Sequence, residues 1–283
     1  MKNTISNGII TLSADGHGAE LRSLIFDGKE YLWQAGDAWK RTAPILFPFI
    51  CSPEGGKYQI DGKEYKMPGN HGFARDMDFE TISAQGSLCY KLTSDENTMA
   101  VYPFDFELYV TYELDGSTVK VKNTVRNTGS KTMYFYLGGH PAFNCPLSDG
   151  TEFDDWYVEY ERPETIIQVW NGTRTIIENS SRLPLTRDLF DNDVVMKDAP
   201  ASKSISLRSD KSDRFVILDY PDSKCIAVWS PTGNDEARFV CLEPWTSVPV
   251  YCDDIQPELS RKEHAISLGV GESYDYTYSI TVG

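Results

Sequence analysis

Asp-Gly pairs between alternating apolar and polar residues are the feature that most constrains how this chain can fold. The chain contains five Asp-Gly pairs in all, which start at positions 15, 27, 61, 115 and 149, and three of them have this context. Asp-Gly favours the two-residue turn of a β-hairpin because both residues tolerate a positive φ. In residues 25–33, 58–65 and 106–127 the pair separates two segments in which every second residue is apolar. These three segments are therefore predicted to be antiparallel hairpins.

Alternation with period two continues along most of the chain, whereas helical periodicity is scarce. Further strands are predicted at residues 215–218, 225–229, 238–242 and 274–282. The best helix candidates, residues 185–191 and 253–262, are too short to connect parallel strands in a βαβ unit. Residues 144–200 are rich in Asp, Pro and Asn, and we expect them to form long loops over one end of the molecule.

Many hairpin-linked strands with few helices predict an all-β fold, an antiparallel sandwich. No linker rich in Gly, Ser or Pro divides the sequence, and charge is spread evenly along it. We therefore expect one domain over residues 1–283.

The charge balance limits the classes of partner. Lys and Arg total 27 against 42 Asp and Glu, which gives a formal net charge of -15. A field of this sign repels nucleic-acid phosphates and anionic lipids, so neither nucleic acid nor a membrane is an expected partner. Residues 1–20 lack a basic segment followed by an apolar run, which makes the cytoplasm the expected compartment. The six cysteines include no Cys-x-x-Cys pair and are predicted to be reduced core thiols.

Two of the four histidines stand where chemistry is expected. His140 follows an aromatic strand that ends in Gly138-Gly139, and glycines at a strand end would let a small molecule approach the backbone. His71 also adjoins a glycine and a phenylalanine at the end of a strand-like segment. A hydrogen-bonded structural role remains open for both of these histidines, whereas His17 and His264 are interpreted as structural or exposed residues.

Glu243 follows the apolar run of residues 239–242 and is expected to be at least partly buried. Burial of an unpaired carboxylate costs several kcal/mol or forces its protonation, so such a group usually has a partner or a substrate. Burial would also raise its pKa towards the range useful to a general base. The alternative is a glutamate satisfied by backbone amides or by an arginine at a sheet edge.

Further side chains could bind a polyhydroxylated ligand. Arg75 and Arg41 could each donate paired hydrogen bonds to adjacent hydroxyls or to a phosphate, although arginines are often simply solvated. Trp229, Trp245, Phe73 and Phe143 could offer an apolar face to a sugar ring, although any one of them taken singly is more often core packing. Phosphate-loop, dinucleotide-binding and serine-hydrolase motifs are absent, and the histidines and cysteines lack the compact spacing of a metal site, so none is predicted.

Several motifs, in this order, resemble the aldose 1-epimerase (galactose mutarotase-like) superfamily, in particular its bacterial LacX-type branch. The strings are His-Gly-Phe-Ala-Arg-Asp at 71–76, Gly-Gly-His-Pro-Ala-Phe at 138–143 and Cys-Leu-Glu-Pro-Trp at 241–245, supported by segments 41–50, 189–196 and 226–230. The resemblance covers nearly the whole chain. It implies a β-supersandwich of antiparallel strands with an open sugar-binding cleft.

The resemblance also implies roles for individual residues. Glu243 corresponds to the general base of the family and His140 to its general acid, with His71 and Arg75 as further sugar contacts. The binding aspartate of the family falls at Asp191 or Asp193, of which we favour Asp193.

The arginine that galactose mutarotases carry in an Ala-Asn-Arg-Ile context is absent, because residues 46–50 read Leu-Phe-Pro-Phe-Ile. Arg41 is the candidate to replace it.

The expected activity is that of an aldose 1-epimerase, or mutarotase, which interconverts sugar anomers by acid–base ring opening without a cofactor. A hexose-6-phosphate 1-epimerase and a non-catalytic carbohydrate-binding protein remain as alternatives. The expected partner is a small sugar, and the chain is expected to be a monomer or a homodimer. The sequence does not rank the possible aldoses.

Overall fold

The computed structural model describes residues 2–82, 86–170 and 172–283, and strands dominate these residues. The strands are β1 (Lys2–Ser6), β2 (Ile10–Asp15), β3 (Leu21–Phe26), β4 (Lys29–Glu30), β5 (Ile45–Leu46), β6 (Lys57–Ile60), β7 (Lys63–Lys66), β8 (Glu80–Thr81), β9 (Ser87–Thr93), β10 (Phe106–Asp115), β11 (Thr118–Asn127), β12 (Met133–Phe135), β13 (Gly138–Gly139), β14 (Ala142–Asn144), β15 (Trp156–Gln168), β16 (Arg174–Pro184), β17 (Val195–Asp198), β18 (Ser204–Ser209), β19 (Ser212–Asp219), β20 (Cys225–Trp229), β21 (Phe239–Trp245), β22 (Ile266–Leu268) and β23 (Ser273–Val282). The all-β fold class predicted from the sequence is confirmed.

Two large antiparallel sheets form the body of the molecule. The longer has nine strands in the order β16-β15-β18-β19-β23-β11-β10-β9-β8. The other has six strands, in the order β17-β20-β21-β13-β5 with β14 also paired to β21. A four-stranded sheet of β1 to β4 and the two-stranded pairs β6-β7 and β12-β22 complete the architecture. Strand β21 is central in the six-stranded sheet, all of its residues are buried on both faces, and it is this strand that carries Glu243.

The three hairpins predicted from Asp-Gly pairs are confirmed. Strands β3 and β4 meet at Asp27-Gly28, β6 and β7 at Asp61-Gly62, and β10 and β11 at residues 115–118. At the first two turns both residues have a positive φ, of 49° and 69° and of 52° and 74°. Such dihedrals match the right-handed twist of the flanking strands.

The prediction of long loops over residues 144–200 is wrong for most of that segment. Strands β15 and β16 form a long antiparallel hairpin there, paired from Tyr157–Pro184 to Gln168–Arg174. The segment looks irregular in sequence because Pro163 lies inside β15, where the register shifts between Glu159 and Glu164. A bulge leaves the backbone N–H unpaired, so a proline can occupy a strand at that point.

Helical structure is limited in the described residues. One α-helix, α1 (Glu96–Val101), is capped by Asp95, whose carboxylate accepts from the Thr98 N–H at 2.8 Å. Six 3₁₀ turns complete the helical structure: Glu54–Gly56, Ala74–Asp76, Phe153–Asp155, Arg187–Phe190, Val250–Asp253 and Leu259–Arg261. The predicted helices at 185–191 and 253–262 are therefore wrong, since each segment contains only short 3₁₀ turns. No helix in the described ranges combines the length and apolar character needed to cross a bilayer.

All six cysteines are unpaired thiols. Cys145, Cys225 and Cys241 are buried in the core as predicted, and Cys51 and Cys89 are partly buried. Cys252 is exposed, so its predicted place in the core is wrong.

Candidate active site

A cleft of about 250 Å³ opens beside the central strand of the six-stranded sheet. Its walls come from β20, β21, the link between β13 and β14, and the four loops that join β4 to β5, β5 to β6, β7 to β8 and β16 to β17. The structure brings seven of the eight predicted site residues to this cleft: Arg41, His71, Arg75, His140, Asp193, Trp229 and Glu243.

Glu243 is 1% exposed, on the floor of the cleft. It lies opposite Ala227 of β20, and the neighbouring strand on its other side is β13. Burial raises the pKa of this carboxyl well above its ordinary value, and the nearby charge of Asp193 adds to the effect. The carboxyl is therefore costly to ionise until something compensates its charge.

His140 lies between β13 and β14, next to Glu243. Its Nε2 is 3.2 Å from Oε2 of Glu243, and its ring stacks on Trp39 with centroids 5.0 Å apart. Burial lowers the pKa of His140 to about 3, with Arg75 and Arg41 contributing in the same direction. Because burial disfavours the charged form of both partners, it favours a neutral imidazole beside a protonated carboxyl as the resting pair.

The glycines before His140 have a different role from the one predicted. Both are buried, and neither has a positive φ. A Cβ on Gly138 would lie 2.7 Å from Cδ1 of Trp245, and one on Gly139 would lie 2.7 Å from the Tyr278 hydroxyl. These positions are therefore glycine so that two large side chains can pack against the strand, and the approach of a ligand is not the reason.

His71 faces His140, with ring centroids 5.4 Å apart and perpendicular planes. Its backbone has a φ of 63°, and its Nδ1 accepts from the Cys51 backbone N–H at 2.9 Å. Burial lowers the pKa of His71 well below 6.5, and His140 adds to this effect. A neutral imidazole that accepts at Nδ1 must carry its proton at Nε2, so His71 can donate a hydrogen bond from that atom.

The two arginines of the cleft share one carboxylate. Arg41 donates to Oδ1 of Asp76 at 2.7 Å, and Nε of Arg75 lies 3.8 Å from Oδ2 of the same residue. Burial lowers the pKa of Arg75 to about 10, with a further contribution from Arg41. Nε of Arg75 has no hydrogen-bond partner among the described residues. Arg75 thus retains an unused donor at Nε, whereas Arg41 donates to Asp76 and, at 3.4 Å, to the Arg75 carbonyl.

The structure places Asp193 at the cleft and leaves Asp191 outside it. Asp193 has a φ of 68°, which is unusual for a residue other than glycine. Its Oδ1 accepts from the indole N–H of Trp229 at 2.7 Å. This contact joins two of the predicted substrate-binding residues at one wall.

Phe143 is the predicted site residue that does not reach the cleft. Its side chain is fully buried in the main core, and its neighbour in the sheet is Val240. Side chains alternate along a strand, and Phe143 points to the core face of β14. The assignment of Phe143 to substrate binding is therefore wrong.

Of the other two aromatic residues considered for a sugar ring, Trp245 lines the cleft and Phe73 lies in the buried core. Four residues that the sequence did not assign to the cleft also line it: Trp39, Cys51, Asn70 and Val194. Trp39 is the most informative of them because it stacks on His140 and meets Trp229 edge-to-face at 5.8 Å. Asn70 stands beside the motif string at 71–76, which is a usable signal. Nothing in the sequence distinguishes Trp39 from a core tryptophan.

One imidazole nitrogen of His140, the thiol of Cys241 and one oxygen of Glu243 lie within 4.8 Å of one another, close enough to suggest metal ligands. Burial raises the pKa values of both the thiol and the carboxyl well above their ordinary values. Metal ions bind the deprotonated forms, so two protons would have to leave. Arg75 and Arg41 also oppose positive charge at His140. The donor set therefore does not suit a divalent cation.

Comparison with known proteins places this geometry in context. A family model described as aldose 1-epimerase matches residues 1–281. Two LacX proteins of Lactococcus lactis subsp. lactis, plasmid and chromosomal, are 31% and 32% identical to the chain over 264 and 268 residues, which is 86% of this chain and 87% of each relative.

Two solved structures with mutarotase-like descriptions also superimpose closely on this chain. A galactose mutarotase related enzyme from Lactobacillus acidophilus superimposes with a TM-score of 0.93 at 31% identity, covering 100% of this chain and 97% of the other. A galactose mutarotase-like protein from Lactobacillus casei gives 0.91 at 30% identity and covers 100% of both chains.

Proposed function

Because this chain belongs to the aldose 1-epimerase family, we propose that it is a mutarotase, interconverting the α and β anomers of an aldose by acid–base ring opening and reclosure. The observation that carries the proposal is the contact between His140 and Glu243. Their reactive atoms are 3.2 Å apart on the floor of a cleft large enough for one small molecule.

The proposed chemistry follows from the structure of a hemiacetal. Glu243 removes the proton of the C1 hydroxyl while His140 protonates the ring oxygen, and the ring opens to an aldehyde. Both oxygens are bonded to C1, so an acid and a base that serve them must be close neighbours, as these two are. Rotation about C1–C2 presents the other carbonyl face, and the same pair working in reverse closes the opposite anomer.

One proton on the pair is sufficient for this cycle. The neutral resting pair and the pair of carboxylate with imidazolium hold the same number of protons. Transfer of a proton from Glu243 to His140 across their contact therefore creates the base and the acid together, with no exchange with solvent. Bound hydroxyls that donate to Glu243 would favour the charged form, because they replace the water lost on burial.

The remaining side chains supply positioning. The Nε2–H of His71 and the free N–H of Arg75 can donate to sugar oxygens, and Asp193 can accept from hydroxyls. Trp39 and Trp229 provide apolar faces against which a sugar ring can pack. Such contacts hold the anomeric centre near the acid–base pair.

The charges of the cleft favour an uncharged aldose over a hexose phosphate. Arg41 already pairs with Asp76, and the carboxylate of Asp193 stands on the same cleft wall as Trp229. A phosphate dianion would have to displace the first contact and approach the second group. Binding of a neutral ring leaves both in place.

The proposal is tested by anomer exchange, followed by magnetisation-transfer NMR or polarimetry with glucose, galactose, xylose and their 6-phosphates. We expect at least one free aldose to exchange faster with the protein than without it. Glu243→Gln and His140→Asn should each remove most of the acceleration, typically about 10²-fold or more for general acid–base catalysis.

Two exposed positions provide matched controls. His17→Asn changes a half-exposed histidine that pairs with Asp78, and Glu263→Gln changes an exposed glutamate, both away from the cleft. Both controls should keep the wild-type rate. Wild-type rates in folded Glu243→Gln and His140→Asn would refute the assigned roles. Sugar binding without any acceleration would point to the carbohydrate-binding alternative.

A further inference from the structure

Asp193 reaches the cleft from a loop whose backbone is not in a relaxed conformation. Its φ of 68° is in the left-handed region, which costs free energy for a side chain with a Cβ. Its backbone N–H bonds to the Phe190 carbonyl at 2.8 Å. Such a conformation persists only where the surrounding structure holds it.

Gln168 holds this loop from outside the cleft. It is the last residue of β15 and is 1% exposed. Its side-chain amide nitrogen donates to the carbonyls of Asn192 at 3.2 Å and of Val194 at 3.1 Å. The two acceptors are the carbonyls of the residues on either side of Asp193, so a single amide group bonds to the peptide unit before Asp193 and to the second peptide unit after it.

Trp170 adds a second fixed point from the same hairpin. Its indole N–H donates to the Asn192 carbonyl at 2.8 Å, and so that carbonyl receives two side-chain donors. On the other strand of the hairpin, Arg174 donates to the carbonyl of Asp188 at 3.1 Å. The end of the β15–β16 hairpin thus bonds to three backbone carbonyls, those of Asp188, Asn192 and Val194, in the loop of residues 185–194 that carries Asp193.

We propose that Gln168 and Trp170, which we call the hairpin clamp, are positioning residues that hold Asp193 in its substrate-binding geometry. The inference rests on the proposed function for its consequence on sugar affinity. The clamp touches no residue of the acid–base pair and does not line the cleft. Its loss should therefore weaken substrate binding and leave the chemical step nearly unchanged.

The first test is kinetic and uses the full chain with the aldose that it converts fastest. Gln168→Met keeps the length of the side chain and removes its donor, and Trp170→Phe keeps a ring and removes the N–H. A displaced Asp193 would lose the hydrogen bond between its carboxylate and a sugar hydroxyl. Each variant should therefore raise KM by about tenfold, the effect of losing a hydrogen bond to a charged group, and keep kcat within about twofold of wild type. Ile167→Thr, at a half-exposed position of the same strand, is the control and should change neither constant.

The second test is spectroscopic and does not depend on activity. The indole N–H of Trp229 bonds to Asp193, so its ¹⁵N–¹H resonance reports the position of that carboxylate. Trp229→Phe assigns the resonance. In Gln168→Met and Trp170→Phe it should move towards its position in Asp193→Ala. The indole of Trp156, which bonds to Thr151 at 3.0 Å elsewhere in the fold, should not move.

The outcomes separate the two proposals. A shifted Trp229 resonance in a protein without epimerase activity would support the clamp and refute the proposed function. A Trp229 resonance and a KM that both stay at their wild-type values in the two variants would overturn the clamp. If Gln168→Met does not fold, the decision rests on Trp170→Phe, whose lost bond is at the half-buried end of the hairpin.

Discussion

The acid–base pair is the part of the molecule where stability and chemistry conflict. Glu243 and His140 are both almost completely buried, and burial pushes their pKa values towards their neutral forms. A buried carboxyl without a full set of hydrogen bonds is costly for the folded state. Oε2 of Glu243 has no hydrogen-bond partner of good geometry in the described residues. A ligand that donates to it would supply the missing interaction.

Glu243→Gln is expected to stabilise the protein increasingly as pH rises. The folded-state pKa of Glu243 is raised above its ordinary 4.5, so above that pH the unfolded chain ionises while the folded one keeps its proton. The contribution of Glu243 to the free energy of unfolding of the wild type therefore falls as pH rises above 4.5. The glutamine side chain does not ionise in the folded or the unfolded state, so the variant avoids this loss. The Tm of Glu243→Gln minus that of the wild type should therefore be near zero at about pH 4.5 and grow towards higher pH.

Thermal unfolding of both proteins at a series of pH values between about 4 and about 8 measures the difference. Glu263→Gln, at an exposed position, serves as the reference and should show no such trend. A Tm difference that is independent of pH would mean that the carboxyl is not penalised in the folded state.

The pH profile of kcat/KM should also depart from that of an ordinary histidine. Uptake of a second proton by the pair removes the base and produces the acid limb of the profile. Burial lowers the pKa of His140 from 6.5 to about 3, so the limb should lie well below pH 6.5. A break at 6.5 would contradict the buried, neutral imidazole.

Trp39 offers an independent check on this explanation because it covers the His140 ring. Trp39→Ala should admit water, raise the pKa of His140 towards 6.5 and move the acid limb upwards. Trp39→Phe retains a ring over the imidazole and should leave the limb nearly in place. Equal profiles for the two variants would show that stacking by Trp39 does not exclude water.

At the scale of elements, the two-residue strand β13 must be glycine because two large aromatic side chains pack directly against its backbone. Gly138→Ala and Gly139→Ala would each place a methyl group 2.7 Å from an atom of a buried aromatic side chain. Overpacking of this kind costs about 1–3 kcal/mol, and urea denaturation should show that loss. Gly138→Ala should also reduce activity, because Trp245 lines the cleft.

Gly129→Ala is the matched control for these glycines. Its φ is not positive, and its nearest neighbour would be a side-chain oxygen of Asp105 at 3.3 Å. That carboxylate can move, so the control should lose less stability than either β13 variant. Equal losses at all three positions would indicate that backbone entropy, and not packing, is the cost.

The strands were predictable to the extent that their cause is local. Residues 225–229 were predicted as a strand and form β20 with the same bounds. Asp-Gly turns and alternation are local signals, and the three hairpins followed from them. Strand β15 was missed because three consecutive exposed residues, Glu161 to Pro163, interrupt its alternation at a bulge. The interrupted segment is still a strand because it pairs with β16 and β18, and local sequence does not encode that pairing.

The residues of the candidate site also fall into those that the sequence could identify and those that only the folded chain could place. The resemblance identified His140 and Glu243, and both lie at the cleft. Phe143 and Trp39 could not be sorted from sequence, since both are aromatic residues beside a motif or a candidate binding residue. The face of β14 on which Phe143 lies, and the loop path that brings Trp39 over His140, decide between core and cleft. Both are properties of the folded chain.

At the scale of the whole molecule, the sheets share one hydrophobic core. A continuous cluster of buried residues runs from Ile10 in the four-stranded sheet to Val282 in the last strand. Buried polar contacts also join distant parts of the chain, such as the Tyr136 hydroxyl that donates to Asp253 at 2.6 Å. The cleft is assembled from loops on several of these sheets, so its geometry depends on the whole core.

From the shared core we predict that the chain unfolds as one unit, which also tests the single domain expected from the sequence. If no part of the core can lose its contacts without exposing the rest, the tryptophan fluorescence and the far-ultraviolet circular dichroism must change together. Urea titration followed by both signals should give coincident midpoints, with a slope that corresponds to the surface of the whole chain. Glu243→Gln should shift both midpoints by the same amount. Separate midpoints, or a shift of only one of them, would show that the chain contains two independently folding parts.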